Sequence, residues 1–288
     1  WRIPLGSGFS GVSVSDGRVY TMYAKGDDEI VVCLDAQSGH EIWRYLDDYL
    51  FEYHQGGDGP RSTPTVDDSV VYAFSAYGRL VALDALTGKL LWDNDFTETF
   101  SSEVPQYGFA ASPIVEANLI LSETGGVDGR AIVAFDKGNG DIVWRSDDSV
   151  SGYSSPITVT ILERRQTIFF MADGLVSISP MDGAIQWTYG WKTPFNVNAA
   201  TPVFIPPDKI FISSGYDVGA AVIQIGETGG KLVASDVWTS RVMKNHFSSS
   251  VFHQGYLYGF DNAILKSIDA TTGEEQWSAR GFGKGSLI

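Results

Sequence analysis

The chain has 288 residues, 43% of them hydrophobic and 13% aromatic, a composition that excludes intrinsic disorder, and no run approaches the roughly 20 apolar residues of a membrane-spanning helix. A formal charge of −15 excludes nucleic acid as a partner, because an acidic surface repels phosphate backbones. The single cysteine, Cys33, excludes an intramolecular disulfide and a zinc site made of cysteines, and its position in a strand-like run predicts a small buried hydrophobe.

The chain begins on Trp1 rather than on methionine, which indicates a trimmed chain, so a missing leader says little about location. From there, short apolar runs alternate with turn residues. Each group of four runs ends in the motif Asp-x-x-x-Gly-x-x-x-Trp, found at residues 35–43, 84–92, 136–144 and 269–277. Two further copies differ: Ser179 replaces the aspartate before Trp187, and a looser segment from Thr228 leads to Trp238. Such a repeat indicates stacked structural units.

Each group of runs predicts four antiparallel strands joined by hairpins. Proline at the start of the first strand (Pro64, Pro113, Pro156 and Pro202) is tolerated because that residue need not donate a ladder hydrogen bond. In the third turn the aspartate can accept backbone N–H groups, and glycine takes a positive φ. One four-stranded sheet cannot cover both of its faces, so the units must stack, and radial stacking gives a β-propeller.

The repeat resembles that of the PQQ-like β-propeller family, which includes quinoprotein dehydrogenases and BamB, an outer-membrane assembly lipoprotein. The resemblance implies one domain over 1–288, with blades at about 9–44, 61–93, 109–145, 153–188, 198–239 and 247–278. Residues 1–5 and 284–288 are predicted to be strands of incomplete blades. Because the family has seven or eight blades, we expect the parent protein to have seven or eight as well, and closure on fewer blades is the alternative.

In a propeller the loops that enter the first strands crowd one face around the axis. Those loops are long here, at residues 46–60, 94–108, 189–197 and 240–245. We therefore predict a ligand-binding axial face made of Tyr53, His54, Arg61, Tyr107, Tyr153, Asn198, Lys244, Asn245, His246 and Lys284. Together with Lys192, its cations would make a local funnel for a small anionic ligand or an acidic peptide. The alternative is that these side chains bond between blades and cap the channel.

No cofactor and no metal site are predicted. A quinoprotein dehydrogenase would need a vicinal disulfide, which a single cysteine cannot form, together with calcium and a catalytic aspartate. Acidic pairs at residues 27–28, 67–68 and 147–148 fall in turns, and residues 125–129 are explained equally well by a hairpin. No Gly-x-Ser-x-Gly or His-Glu-x-x-His motif is present.

These observations predict a non-catalytic binding or scaffold propeller, resembling BamB-like proteins, that presents its axial loops to a protein or a small anionic ligand. The resemblance implies a periplasmic, secreted or cell-envelope location. The alternatives are a PQQ- and calcium-dependent dehydrogenase, another enzyme with an axial site, and a sensor domain of a larger receptor.

Overall fold

The computed structural model describes residues 1–47 and 49–287, and the chain divides into two compact units, Trp1–Asp148 and Ser149–Ile288. Each unit contains three four-stranded antiparallel sheets, which we number as blades 1–6 in chain order. In every blade the strands lie side by side in the order of the sequence. The predicted all-β fold of four-stranded blades is therefore confirmed.

Unit 1 holds blades 1–3. Blade 1 consists of β1 (Ser13–Ser15), β2 (Arg18–Lys25), β3 (Asp28–Asp35) and β4 (Glu41–Asp47). Blade 2 consists of β5 (Thr65–Asp67), β6 (Val70–Phe74), β7 (Arg79–Asp84) and β8 (Leu90–Asp95), followed by the helix α1 (Phe96–Phe100). Blade 3 consists of β9 (Ile114–Glu116), β10 (Leu119–Glu123), β11 (Ile132–Asp136) and β12 (Ile142–Ser146).

Unit 2 holds blades 4–6. Blade 4 consists of β13 (Ile157–Ile161), β14 (Arg164–Met171), β15 (Gly174–Ile178) and β16 (Ile185–Gly190), followed by a 3-10 turn at Pro194–Asn196. Blade 5 consists of β17 (Val203–Ile205), β18 (Lys209–Ser214), β19 (Gly219–Thr228) and β20 (Lys231–Ser240). Blade 6 consists of β21 (Val251–His253), β22 (Tyr256–Asp261), β23 (Ile264–Asp269) and β24 (Glu275–Ala279).

The second and third strands of the blades form the cores. In β3, every residue from Ile30 to Leu34 is at most 4% exposed, so side chains on both faces of this strand are covered. A strand buried on both faces has a continuous apolar sequence rather than an alternating one. Cys33 is fully buried among these residues, as predicted, and burial raises the pKa of its thiol.

The aspartate of the repeat organises the third turn as predicted. In blade 1, Asp35 Oδ1 accepts hydrogen bonds from the N–H groups of Gln37 (3.1 Å) and Ser38 (2.7 Å), and Gly39 adopts a φ of 73°. The Ser38 hydroxyl also donates to this carboxylate. These donors hold the pKa of Asp35 below its usual value. The turn therefore explains the aspartate of the motif, and in blade 1 the hydroxyl of Ser38 reinforces it.

The glycine of the motif has a second role that the sequence did not reveal. A Cβ at Gly88 would lie 2.6 Å from the Trp43 ring, which belongs to the preceding blade. The Trp43 Nε1–H donates to the carbonyl of Ala85 in the same turn (3.0 Å). Equivalent contacts join Trp1 to the turn at Gly39, Trp92 to that at Gly140 and Trp238 to that at Gly273. Each of these tryptophans thus docks on the third turn of the following blade.

Blade 5 departs from this pattern, as its looser sequence predicted. Strands β19 and β20 have ten residues each and are joined at Gly229 and Gly230, so the compact third turn is replaced by a long hairpin. The tryptophan of the preceding blade, Trp187, donates instead to Gln166 Oε1 of its own blade (2.7 Å). Gln166 is fully buried and also accepts from Ser177 (2.9 Å). A buried amide therefore replaces the missing turn as the hydrogen-bond partner.

Hydroxyl groups at the starts of first strands join neighbouring blades. The Gly11 N–H donates to Thr63 Oγ1, and the Thr63 N–H donates to Ser112 Oγ, each at 2.9 Å. In unit 2, the Thr201 N–H donates to Ser249 Oγ, also at 2.9 Å. The serines and threonines that recur in the sequence are consequently structural.

Within the described residues, the two terminal segments that were predicted to be strands of incomplete blades have no strand pairing. Residues 1–5 run over blade 1, where Ile3 and Leu5 pack on its core, and one isolated bridge joins Ser7 to Ala24. Residues 284–287 also lack strand pairing, and Ile288 lies outside the described residues. A strand requires a hydrogen-bonded neighbour along its length, so the assignment of these segments to further blades stays a prediction.

The other blade limits differ from the sequence-based limits by small amounts. The fourth strands extend one to three residues past the predicted blade ends, because the ladder continues beyond the tryptophan. The loop predicted at 94–108 contains α1, whose Phe96 and Phe100 are fully buried. Phe96 stacks on Phe135 of blade 3 at 5.6 Å between ring centroids, so this loop contributes to the core of unit 1.

Candidate functional site

The order of antiparallel strands decides which loops share an edge of a blade. A chain that runs up one strand and down the next places its second turn and its exit from the fourth strand at the same edge. We call this the connection edge; it includes residues 8–12, 49–64, 75–78 and 96–113 in unit 1, and 149–156, 191–202, 215–218, 241–250 and 280–287 in unit 2. The first and third turns lie at the opposite edge, the turn edge. All ten predicted site residues lie on connection edges.

In unit 1, Arg61 points into its own loop. Its guanidinium donates to the carbonyls of Tyr107 (3.1 Å), Gly59 (2.8 Å) and Gly57 (2.6 Å). The same group lies over the rings of Phe9 and Phe51, at 4.8 and 5.0 Å from their centroids. Two of these carbonyl groups belong to the loop that carries Arg61 and the third belongs to the loop before blade 3, so Arg61 joins two loops of the connection edge.

A buried acid that sequence reasoning missed lies beside Arg61. Glu29 is 1% exposed, and its carboxylate accepts the N–H groups of Phe51 and Ala76, each at 3.3 Å. Burial raises the pKa of Glu29 to about 7, against the lowering effects of these two N–H groups and of Arg61. Its cross-strand partner Asp47 is also buried and binds Arg79 at 3.0 Å. The only sequence signal was an acidic residue at the start of an apolar strand.

The other predicted residues of unit 1 lie on two loops of the connection edge. Tyr53 and Tyr107 pack edge to face at 5.2 Å between centroids, and the Tyr53 hydroxyl contacts Gln55 and Gln106 at 3.4 Å. His54 is exposed beside this pair. The structure therefore brings Tyr53 and Tyr107 together, and the half-buried Arg61 supports Tyr107 through its carbonyl group.

In unit 2, the two predicted asparagines are buried and hydrogen-bonded within the protein. Asn198 donates to the carbonyls of Met171, Ala172 and Trp191 and accepts from Ser214. Asn245 donates to Phe260 and accepts from Ser250. Both are at most 1% exposed, so this geometry does not support them as ligand contacts. The Tyr153 N–H donates to the Asn198 carbonyl (2.9 Å), so Tyr153 lies next to Asn198.

The lysines of the predicted funnel have different surroundings. Lys192 pairs with Asp173 at 3.0 Å on the exposed surface, and Lys244 lies 3.7 Å from Asp217 and 3.5 Å from Asp261. The Lys284 ammonium contacts His246 Nδ1 at 3.0 Å and lies 5.4 Å from the Phe247 ring centroid. Since an ammonium group can only donate, Nδ1 accepts and the imidazole is neutral. Burial, and then Lys284, lower the pKa of His246.

Four rings follow one another on the connection edge of unit 2. We call Phe195, Tyr216, His246 and Phe247 the aromatic row. Successive ring centroids are 5.9, 4.9 and 3.7 Å apart. Phe195 and Phe247 are 67% and 65% exposed. Sequence reasoning missed Phe195 and Tyr216, whose signal is an aromatic residue in a loop that lies outside the repeat.

A cleft of about 450 Å³ lies along the first strands of unit 1. Its lining includes Ser13, Thr63 and Thr65. Ser13 donates to the Pro64 carbonyl and Thr65 to the Pro113 carbonyl (2.6 Å), while Thr63 accepts from Gly11. These three hydroxyl groups therefore already bond between segments of neighbouring blades.

The residues fit a quinone–calcium centre poorly. Among residues 1–47 and 49–287, no group of three or more His, Cys, Asp or Glu side chains converges as a metal site. Asp67 and Asp68 of one predicted acidic pair face Lys137, at 2.8 and 3.8 Å. Cys33 is a free, buried thiol. Calcium requires six to eight oxygen ligands, and within the described residues the acidic side chains supply no converging group of them.

Known proteins resemble this chain in sequence. It is 24% identical over 258 residues to the outer membrane protein assembly factor BamB of Moranella endobia, a match that covers 83% of this chain and 61% of that protein. It is 30% identical over 136 residues to the quinohemoprotein alcohol dehydrogenase ADH IIB of Pseudomonas putida, which covers 45% of this chain and 19% of the enzyme. The chain thus spans about three-fifths of the first relative and about a fifth of the second.

The fold has a matching solved structure. The crystal structure of BamB from Moraxella catarrhalis superposes with a TM-score of 0.65 at 18% identity, over 94% of this chain and 72% of that one. This likeness confirms the β-propeller fold. No helix in the described part of the chain is long and apolar enough to cross a membrane. The family described as outer membrane protein assembly factor BamB matches residues 27–279, so the chain is a PQQ-like repeat β-propeller that belongs to the BamB family.

Proposed function

We propose that this protein is a non-catalytic binding and scaffold propeller of the cell envelope, which works on the periplasmic side and holds a protein partner on its connection edges. Membership of the BamB family supports a role in assembly, since that family is named for an assembly factor. The partner and the location are part of the proposal.

One observation carries the proposal: large apolar side chains are exposed on the connection edges, whereas the polar groups of the repeat are used inside the fold. Phe9 and Tyr49 in unit 1 are 61% and 57% exposed, and Phe195 and Phe247 in unit 2 are exposed to a similar extent. The repeat aspartates and hydroxyls bond to turns and to neighbouring blades. Clustered exposed aromatic side chains are typical of protein-binding surfaces.

Site-specific photo-cross-linking tests the proposal in cells that express the protein. A photoreactive phenylalanine analogue replaces His54 or Phe247 on the connection edges, and Leu86 or Met181 on the turn edges as matched exposed controls, one for each unit. We expect positions 54 or 247 to cross-link to an outer membrane protein or a component of its assembly machinery, identified by mass spectrometry. Equal cross-linking from positions 86 and 181 would contradict the proposal.

A PQQ-dependent dehydrogenase remains the second candidate, because the 30% identity to ADH IIB favours it over part of the chain. The donor set described above gives this candidate no support. Its test is to add PQQ and calcium to the purified protein and to follow dye reduction with a panel of alcohols and sugars. We expect no turnover, and a substrate-dependent rate would replace the scaffold proposal with an enzymatic one.

A further inference from the structure

The aromatic row ends beside a cation whose charge is not balanced by an acid. Within the described residues, the contacts of Lys284 are the neutral His246 ring and the Phe247 face, neither of which carries a negative charge. The neighbouring lysines differ, since Lys192 and Lys244 each face at least one aspartate. On a chain of net charge −15, a positioned and unbalanced ammonium is a distinct local feature. It is suited to receive a carboxylate.

The backbone holds the row in position. Phe195 and Tyr216 both have positive φ values, 65° and 54°, which bulky residues rarely adopt. Such strain persists where the surroundings fix it, and it is concentrated at functional sites. Gly215 lies so close to His246 that a Cβ would be 2.6 Å from the ring. The rings are therefore presented by constrained loops.

The centroid spacings set an upper limit on the length of the row. Placed end to end, the three spacings would match at most about four residues of an extended chain at roughly 3.3 Å each. Apolar side chains of such a peptide would cover the exposed faces of Phe195 and Phe247, and a carboxylate would reach Lys284. A neutral glycan could stack on the rings but would leave the ammonium unused.

We propose that the aromatic row and Lys284 form a binding site for an extended, acidic segment of a protein partner that carries an aromatic or large aliphatic residue next to a carboxylate. This site rests on the proposed function and specifies the chemistry of its partner. Phe247 and Phe195 supply the apolar surface, Lys284 supplies the charge, and His246 positions the ammonium through its Nδ1 lone pair.

The test uses the full chain and three fluorescein-labelled octapeptides with blocked ends. One contains Phe-Asp-Leu-Asp, the second has asparagine in place of both aspartates, and the third has lysine there. We expect fluorescence anisotropy to show saturable binding of the acidic peptide, at least tenfold tighter than that of the other two, and weaker binding at higher salt. Absence of binding, or equal binding of the asparagine or lysine peptide, would overturn the site.

Variants locate the binding on the protein. Phe247→Ala and Lys284→Glu should each weaken the acidic peptide at least tenfold. Met181→Ala and Lys231→Glu are the controls, since they remove an apolar side chain and reverse a charge on the turn edge of unit 2. They should change the affinity for the acidic peptide less than twofold. Thermal unfolding of all four variants checks that they are folded. Unchanged affinity in Phe247→Ala and Lys284→Glu contradicts the site.

Two further readouts separate the alternatives. Binding of cellohexaose that Phe247→Ala abolishes, without binding of the acidic peptide, would assign the row to a glycan and overturn the peptide proposal. Cross-linking from position 54 but not from position 247 would retain the scaffold function and reject this site. Cross-linking from neither position would reject the scaffold function itself, whatever the peptides do.

Discussion

Arg61 of unit 1 and Lys284 of unit 2 are both cations on a connection edge beside aromatic rings, yet they are held in opposite ways. Arg61 turns inward, and its donors bind three carbonyl groups of the surrounding loops. Lys284 remains exposed and rests on an imidazole and a ring face. A cation beside aromatic rings therefore stabilises the fold in unit 1, whereas the cation beside aromatic rings in unit 2 remains accessible. What decides the role is whether backbone acceptors surround the cation.

The blade interfaces of the two units differ in a parallel way. In unit 1, Trp43 and Trp92 both dock on a complete third turn, whereas Trp187 of unit 2 bonds to Gln166 because blade 5 lacks that turn. Where the repeat is complete, its residues are committed to structure. Where it is interrupted, another residue must take over the hydrogen bond.

The largest effect is expected from Gly88→Ala. The variant combines an unfavourable positive φ, about 1–2 kcal/mol, with a clash against the Trp43 ring, about 1–3 kcal/mol more. Gly230, in the blade 5 hairpin, has a similar φ but open space around it. Gly230→Ala should therefore lower the free energy of unfolding only by the cost of the positive φ. Urea unfolding compares the two free energies. Equal losses would show that the tryptophan contact does not distinguish the interfaces.

The second effect tests the two cations directly. Arg61→Met should lower the free energy of unfolding by about 2–4 kcal/mol, because three carbonyl groups lose a charged donor and Glu29 loses its nearby cation. Lys284→Met should stay within about 0.5 kcal/mol, as expected for an exposed side chain. A large loss in Lys284→Met would break the comparison by making that lysine structural.

The smallest effect concerns pH. The pKa of Glu29 is about 7 in the folded protein, whereas the ordinary pKa of a glutamate is 4.5. Between these two pH values the native state therefore binds more protons than the unfolded state. Stability should therefore fall as pH rises from 5 to 8, by about 2 kcal/mol from this group. Glu29→Gln should remove most of that slope in pH-dependent thermal unfolding. Glu52→Gln, an exposed change in the adjoining loop, should leave the slope as in the wild type.

The sequence predicted the blades because their determinants are local and repeated. Asp35, Gly39 and Trp43 occur at fixed spacing, and each has a physical role that recurs in other copies. It also located the connection edges, since strand order alone places those loops together. The sequence could not show that Asn198 is buried while His246 is partly exposed. The burial of a loop residue depends on its contacts with other loops, and those loops do not follow the repeat.

The same limit explains the residues that were missed. Phe195 and Tyr216 meet only because a 3-10 turn after blade 4 reaches the second turn of blade 5. Burial raises the pKa of Glu29, and its carboxylate accepts N–H groups from Phe51 and Ala76, which lie on two other loops. No single stretch of sequence contains these relationships.

The docking of each tryptophan on the following blade gives the interface a direction along the chain. The tryptophan is supplied by the earlier blade and the glycine turn by the later one, so a blade with a complete third turn carries one of each. Duplicating such a segment would regenerate a complete interface at both junctions without further substitutions. The contact is therefore a connector that lets blades be copied or exchanged as modules, while blade 5, which lacks the receiving turn, could not be copied behind an ordinary neighbour.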